Sequence, residues 1–396
     1  MSTAFEDLED LDAPSTQLLT DLRTSMTHAL SSRRPILTHL NADTTWLLSL
    51  PIPLSHPRRK KRLYFHILID PWLAGPQSDV AAFFSTQWHA IDSCCQSIAE
   101  VEDVIRGIEE IAAGSPSPAA RTPAASRPDL KRMETEDVIV VDADPLHQMN
   151  SEEGMDINEQ EQDEAEEEER WIDAVLISHE STDHMHQPTL LTLSPGTPIF
   201  ATSKAFSAIS SWKHFRTVRQ IGRFSGDWKD GGTGEGRLPD WMGVHRVAYA
   251  GNDLLYYHSA ILISFSRDGK DGAEGVLYTP HGISPSDLEP LTTAKPGVEI
   301  LALLHGLQDI SLEGFWKKAQ LNMGAHNGLK VVRMLGVKYW VGTHDENKRG
   351  GGVVGWFLRR VGVSIEDALK GEAEGGKGRE EVRFVEVGNG ESLVLE

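Results

Sequence analysis

The chain has 396 residues, 39% hydrophobic and 24% charged, enough apolar material for a sizeable core in one large domain or two ordinary ones. Its formal charge is −21, and positions 151 to 170 hold eleven acids against one arginine, so the remainder is only mildly acidic. Such a balance repels phosphate backbones and argues against nucleic acid as a partner; the one basic cluster, Arg58-Arg59-Lys60-Lys61-Arg62, reads either as a solvated loop or as a phosphate or nuclear-import patch.

Cys94 and Cys95 are the two cysteines, and adjacent residues rarely close an unstrained disulfide, so no framework for an oxidising compartment is present. The N-terminus is acidic and lacks an apolar signal core, and no uncharged apolar run approaches the roughly 18 residues of a membrane span. These features predict a cytoplasmic protein, with the nucleus left open, and no membrane association. The oligomeric state is not legible.

Along the chain, Leu18, Leu19, Leu22, Met26 and Leu30 are spaced by three and four and predict an amphipathic helix over 15–30, in an N-terminal extension 1–35. Two strands follow, Asp43 to Leu50 and Leu63 to Ile69, joined by a proline-containing basic loop. The second ends at Asp70-Pro71-Trp72-Leu73. Proline there stops the strand and leaves Asp70 at its end. Ile98, Val101, Ile105, Ile108 and Ile111 then mark a helix within Ile91 to Ala112. From Gly114 the chain becomes Pro/Ser/Ala-rich and then acidic, and residues 114–170 are expected to be a disordered insertion, because they have too little apolar surface to offset the entropy of ordering them.

Order resumes at Trp171 to Ser178, a near-continuous apolar strand of the kind covered on both faces. A helix start is expected at Pro188. Further strands are predicted at Thr197 to Ala201, Ala260 to Phe265, Val276 to Tyr278, Glu299 to Leu304, Lys338 to Val341 and Val382 to Val387. Helices are predicted at about 204–212, 326–335 and 364–370, the last with Ser364 and Asp367 placed as a capping box. Alternating strands and helices imply an α/β fold whose domain is split into 36–113 and 171–396.

The most informative segment is Ser178-His179-Glu180-Ser181-Thr182-Asp183-His184, where a buried strand gives way to a helix. Loops at strand ends aim side chains into a common cleft, and a packed core makes no demand for His-x-x-x-Asp-His there. Imidazole and carboxylate suit zinc or iron. Other histidines also follow apolar strands: His281 in Tyr-Thr-Pro-His-Gly, His344 in Gly-Thr-His-Asp-Glu, and His305 in Leu-Leu-His-Gly. His258 reads equally as a cleft ligand or a core histidine, and His326 as a helix N-terminal residue. Gly350-Gly351-Gly352 reads as a flexible loop or a phosphate-binding turn.

These ordered pieces resemble the metallo-β-lactamase superfamily, especially its L-ascorbate-6-phosphate-lactonase-like branch and fungal proteins of unassigned function within it. Strand-Asp-Pro-Trp-Leu at Asp70, Ser-His-x-x-x-Asp-His at 178 to 184, Tyr-Thr-Pro-His-Gly and Gly-Thr-His-Asp-Glu are similar to the family's successive strand-end motifs. The resemblance implies a four-layered αββα sandwich with a metal cleft at one edge of two sheets. It also implies a hydrolase acting on a small-molecule ester, lactone or phosphoester by attack of a metal-bound water.

Two departures stand out. The family's second motif is His-x-His-x-Asp-His, and here Ser181 stands at the middle histidine; where the family usually has an aspartate bridging two metals, this chain carries His281. No clean third histidine motif occurs around His245 and Tyr249. The expectation is therefore one divalent ion rather than two, zinc, with manganese or iron as alternatives. Its ligands would be Asp183, His184 and His344, with His281 as a fourth and His179 on the water-filled side; Asp183 and His179 are the catalytic candidates. Asp70 would hold a ligating histidine from behind, or else only terminate its strand. A catalytically degenerate binding or scaffold protein is the alternative.

Overall fold

The computed structural model describes residues 33–56, 62–78, 85–113, 170–230, 238–248, 258–266, 272–313, 318–351, 358–374 and 381–396. The predicted helix at 15–30, most of the basic cluster, Gly352 and the insertion, Arg170 apart, lie outside these residues.

The apolar runs read from the sequence form strands because each can bury both faces. One sheet has seven strands: β1 (Ile36–His39), β2 (Trp46–Pro51), β3 (Tyr64–Ile69), β5 (Ala174–Ile177), β6 (Ile199–Ala201), β7 (Val218–Gln220) and β18 (Ser392–Val394), in the order β18-β1-β2-β3-β5-β6-β7. A second has six: β8 (Met242–Ala248), β9 (Ser259–Phe265), β10 (Ala273–Tyr278), β11 (Val298–Leu304), β14 (Tyr339–Val341) and β17 (Phe384–Val385), in the order β17-β14-β11-β10-β9-β8. Smaller sheets join β12 (Gln308–Glu313) to β13 (Lys318–Asn322) and β16 (Leu358–Gly362), and β4 (Thr86–Trp88) to β15 (Arg349–Gly351). Six α-helices lie among the described residues: α1 (Ile98–Ala112), α2 (Gln187–Leu190), α3 (Ser203–Ser211), α4 (Glu289–Thr292), α5 (Ala325–Leu335) and α6 (Ile365–Glu374).

Side-chain alternation sorts these into four layers. Leu48, Ile67, Ile69 and Leu176 of the first sheet meet Val244, Ile261, Ile263, Val276 and Leu304 of the second in a central core. Their neighbours Leu47, Leu68, Val175 and Ile177 point the other way, onto Val101, Ile105 and Ile108 of α1 and Ala205 and Ile209 of α3. On the far side Leu262, Leu277, Leu303 and Trp340 pack with Leu329 and Val332 of α5 and Ala368 of α6. The result is the αββα sandwich, with the first sheet drawing strands from both sides of the 114–169 stretch.

Several boundaries differ from expectation for local reasons. Helix α1 starts at Ile98, not Ile91, because Ser97 caps it: its hydroxyl accepts from Glu100 N at 3.3 Å while Glu100 Oε2 accepts from Gln96 N at 2.6 Å. Helix α6 begins after Ser364, whose hydroxyl accepts from Asp367 N at 3.1 Å, as predicted. Asp43 to Thr45 are not strand but a buried turn, in which Asn41 Oδ1 accepts from Asp43 N and Thr45 N at 2.9 and 3.0 Å. Gly350 and Gly351 lie in β15, paired with β4, and not in a phosphate-binding turn. Arg62 is no solvated member of a basic run; it is buried and ion-paired with Asp173, and its guanidinium also donates to Trp171 O at 2.7 Å.

Beside that pair, the Glu109 carboxylate of α1 accepts from Leu63 N at 2.7 Å, Tyr64 N at 2.9 Å and His66 Nε2 at 3.1 Å. Burial alone would raise its pKa, but the His66 and backbone N–H donors outweigh burial and hold it below the ordinary value. This polar cluster pins α1 across the starts of β3 and β5. The ends of the same strands are left to build the cleft.

Candidate metal centre

Strands β3 and β5 are parallel neighbours, as are β10, β11 and β14, so their C-terminal ends emerge on one edge of the sandwich. Asp70 follows β3, Ser178 and His179 follow β5, His281 follows β10 and His344 follows β14. Chain direction alone therefore delivers the scattered motifs to one place.

Asp70 ties these ends together. Fully buried, its carboxylate accepts from Ser178 N at 2.7 Å, from the Ser178 hydroxyl, from His184 Nδ1 at 2.7 Å and from the Tyr278 hydroxyl at 2.8 Å. Its backbone takes a positive φ of 44°, uncommon outside glycine but tolerated by aspartate, and Thr45 Oγ1 donates to its carbonyl at 2.9 Å. Burial, and then the Asp70 charge, push the Tyr278 hydroxyl well above its ordinary pKa, so it stays a protonated donor.

Four buried imidazoles converge beyond Asp70. Ring centroids of His179 and His281 are 4.5 Å apart, and His184 lies 5.1, 5.0 and 5.0 Å from those of His179, His281 and His344. In each ring Nδ1 is held by an oxygen: Ser178 Oγ for His179 at 2.8 Å, Asp70 for His184, Asn322 Oδ1 for His281 at 2.8 Å and Asp43 Oδ1 for His344 at 2.9 Å. The single Ser178 hydroxyl proton goes to Asp70, so that hydroxyl accepts from His179. With Nδ1 protonated and held, coordination would run through Nε2, the arrangement that outer carboxylates and carbonyls impose on ligating histidines.

Two groups of potential ligands result, His179 with His184 and His281, and Asp183 with His184 and His344, the ligand atoms of each lying within 4.8 Å of one another. His184 belongs to both. Its Nε2 is buried with no hydrogen-bond partner and lies 3.9 Å from Asp183 Oδ1, which likewise has none. An unpaired nitrogen facing a carboxylate in a buried pocket fits a cation. Burial depresses the His184 pKa, but the Asp183 and Asp70 carboxylates outweigh it and raise it; the same field favours any positive charge at Nε2. For His281, burial and then His179, His344 and His184 push the pKa well below the ordinary range, so that ring is neutral.

At the far end of the cleft Asp183 Oδ2 lies 2.7 Å from Lys348 Nζ, which is also 2.7 Å from Asp43 Oδ2. All three side chains are buried. Burial favours neutral carboxyls, but the Lys348 ammonium, with the nearby histidines, overrides it and lowers the pKa of both Asp43 and Asp183. Burial likewise lowers that of Lys348, and the two carboxylates reverse the effect and raise it. Neither Asp43 nor Lys348 was singled out by sequence: one sits in a short polar turn, the other in a Lys-Arg-Gly loop, with no periodic or motif signal. The Thr343–His344 turn connects them, with His344 N and Thr343 Oγ1 both donating to Asp43 O at 3.0 Å.

The remaining candidates are elsewhere. His305 is buried against Gly306 O and Asn327 Oδ1, His258 Nε2 faces Gln320 O at 3.3 Å, and His326 sits in the first turn of α5. His245, on β8, is buried edge-on to Phe224. Ser181, where the family has a histidine, is beside the cleft with its buried hydroxyl lacking a hydrogen-bond partner.

A mixed α/β sandwich of αββα layering, with a His/Asp cluster at one strand-end edge, is the architecture that the metallo-β-lactamase resemblance implies. Among solved structures, the chain is similar to an isothiocyanate hydrolase from Delia radicum gut bacteria, at 13% identity and TM-score 0.46 over 91% of this chain and 99% of that one. It is similar to a possible metal-dependent hydrolase from Veillonella parvula, at 12% identity and TM-score 0.46 over 91% and 100%. It is also similar to the metallo-β-lactamase fold protein YhfI from Bacillus subtilis, at 13% identity and TM-score 0.34 over 56% and 77%. No protein-family model matches the chain, and no curated protein matches it in sequence. No helix among the described residues is long and apolar enough to cross a membrane.

Proposed function

We propose that this chain is a metal-dependent hydrolase of a small-molecule ester, lactone or phosphoester. One divalent ion, zinc in the first instance and manganese or iron otherwise, would be held through His184 Nε2 by one of the two ligand groups. The carrying observation is that nitrogen: buried, unpaired, its ring fixed from behind by Asp70 and its front 3.9 Å from a carboxylate. A bound ion would supply Lewis acidity and a nucleophile at neutral pH by lowering the pKa of water. The chain's own residues do the positioning. Asp70 and Ser178 fix the imidazoles, and Asp183, kept ionised by Lys348 and the nearby histidines, presents its unpaired Oδ1 as the proton acceptor. The ligand chemistry suits a small molecule, and the acidic composition disfavours nucleic acid.

One observation favours a second reading, a binding protein without turnover: Lys348 already supplies Asp183 with a cation at 2.7 Å. Ester, lactone and phosphodiester substrates assayed with zinc, manganese or iron decide between them. Turnover that needs metal and is lost in His184→Ala supports the hydrolase. Activity surviving both a strong chelator and His184→Ala would end it, and silence with every metal selects the binding protein.

A further inference from the structure

Resting on the metal reading above, we propose that Lys348 is a built-in replacement for a second cation, restricting the centre to one divalent ion and directing that ion to His179, His184 and His281. Three observations converge. First, both ligand groups need His184, and His184 has one nitrogen to give, since its Nδ1 is committed to Asp70. Second, the ammonium already sits 2.7 Å from both Asp183 Oδ2 and Asp43 Oδ2, the two carboxylates that also face His344 at 3.9 and 2.9 Å. An ion on Asp183, His184 and His344 would stand against that ammonium, and like charges a few ångströms apart in a buried site repel strongly. Third, the buried charges balance with one ion. Asp43, Asp70 and Asp183 face one lysine, leaving two negative charges that a single divalent ion cancels and a second would overshoot. Asp345 and Glu346 turn elsewhere, the former to the Leu307 and Gln308 amides and the latter to His89.

Lys348 is held in this role by its surroundings. Its ammonium is 5.3 Å from the Trp72 ring centroid, and its chain segment is tied to the Asp43 turn through His344 N. The all-histidine end is held from behind by Ser178 Oγ and Asn322 Oδ1 and, at the shared His184, by Asp70.

The test is zinc stoichiometry and affinity, read by elemental analysis and competition with a chromophoric chelator, with cobalt absorption as a spectroscopic check. The wild-type chain should bind one equivalent. Lys348→Met, which frees Asp43 and Asp183 to hold a second ion with His344 and without His184, should bind two, with zinc raising its Tm more than that of the wild type, while Lys348→Arg should stay at one. His281→Ala should weaken the wild-type ion at least tenfold and His344→Ala should weaken it by less than threefold. Two equivalents in the wild type, none, one equivalent in folded Lys348→Met, or loss in His344→Ala with retention in His281→Ala would each overturn the proposal. Should Lys348→Met fail to fold at every zinc concentration, the two histidine variants decide. Because binding is read and not turnover, a protein that takes one zinc ion and hydrolyses nothing would end the hydrolase reading and leave this one standing.

Discussion

Asp70 Oδ2 lies 2.7 Å from His184 Nδ1, both side chains fully buried, at the point where the ends of β3 and β5 meet the cleft. The same carboxylate holds Ser178 and Tyr278, so one residue sets the orientation of His184 directly and of His179 through Ser178. A ligand nitrogen aimed from behind in this way is what an outer carboxylate supplies at a metal site.

Asp70→Asn keeps the shape but replaces an acceptor with a donor among four donors. Zinc affinity should fall by about 10- to 100-fold. Tm should fall as well, because buried donors lose their partner at about 1–3 kcal/mol each. Chelator competition and calorimetry on the same samples measure the two effects; unchanged affinity would show that Asp70 only terminates its strand.

Glu109 links α1 to β3, and its folded pKa lies below the ordinary value of 4.5. A carboxyl depressed in the fold contributes stability that is fully present above the unfolded value and is lost as pH falls through the folded one. Glu109→Gln should therefore lower Tm at pH 7, by a loss of about 1–3 kcal/mol. The gap to wild type should narrow steadily below pH 4.5. A gap independent of pH would mean that shape and not charge matters at this position.

Gly328 in α5 would place a Cβ 2.3 Å from Trp340 Cζ2. Alanine normally gains about 1 kcal/mol over glycine inside a helix. Overpacking costs typically 1–3 kcal/mol, and the rigid indole of β14 cannot yield freely. The balance predicts that Gly328→Ala is destabilising, with a shifted tryptophan emission. A rise in Tm would show that helix and sheet can separate at this contact.

Replacing residues 114–169 by a short Gly/Ser linker should leave Tm within a few degrees. The chain on either side already meets in one sheet, with Ile67 opposite Ala174 in the β3–β5 pair, and closure entropy varies slowly with loop length. Loss of expression or a much lower Tm would show that this stretch packs on the sandwich.

Where elements were legible in the sequence, the physical reason is burial on both faces. Strand β5 and the C-terminal parts of β10 (Val276 to Tyr278) and β11 (Ile300 to Leu304) are continuous apolar runs, and α1, α3 and α5 carry a 3.6-residue apolar stripe. Strands β7 and β16 were missed because they are largely exposed, so their side chains show no apolar pattern. Strand β12, in a small three-stranded sheet beside the sandwich, alternates too weakly over six residues to be told from a loop.

The sequence by itself determined the α/β alternation and marked the strand-end histidines as candidates, because apolar periodicity and polar residues at strand ends are local properties of the chain; the four-layered order was what the family resemblance implied. It did not determine the charge state of the centre. Asp43 and Lys348 lie at opposite ends of the chain, His344 and Asp43 being separated by 301 positions, and nothing near either residue signals the other. Only the folding of two sheets against each other brings their charged groups to 2.7 Å in a buried site, where the low dielectric makes the pairing of two otherwise surface-type residues strong.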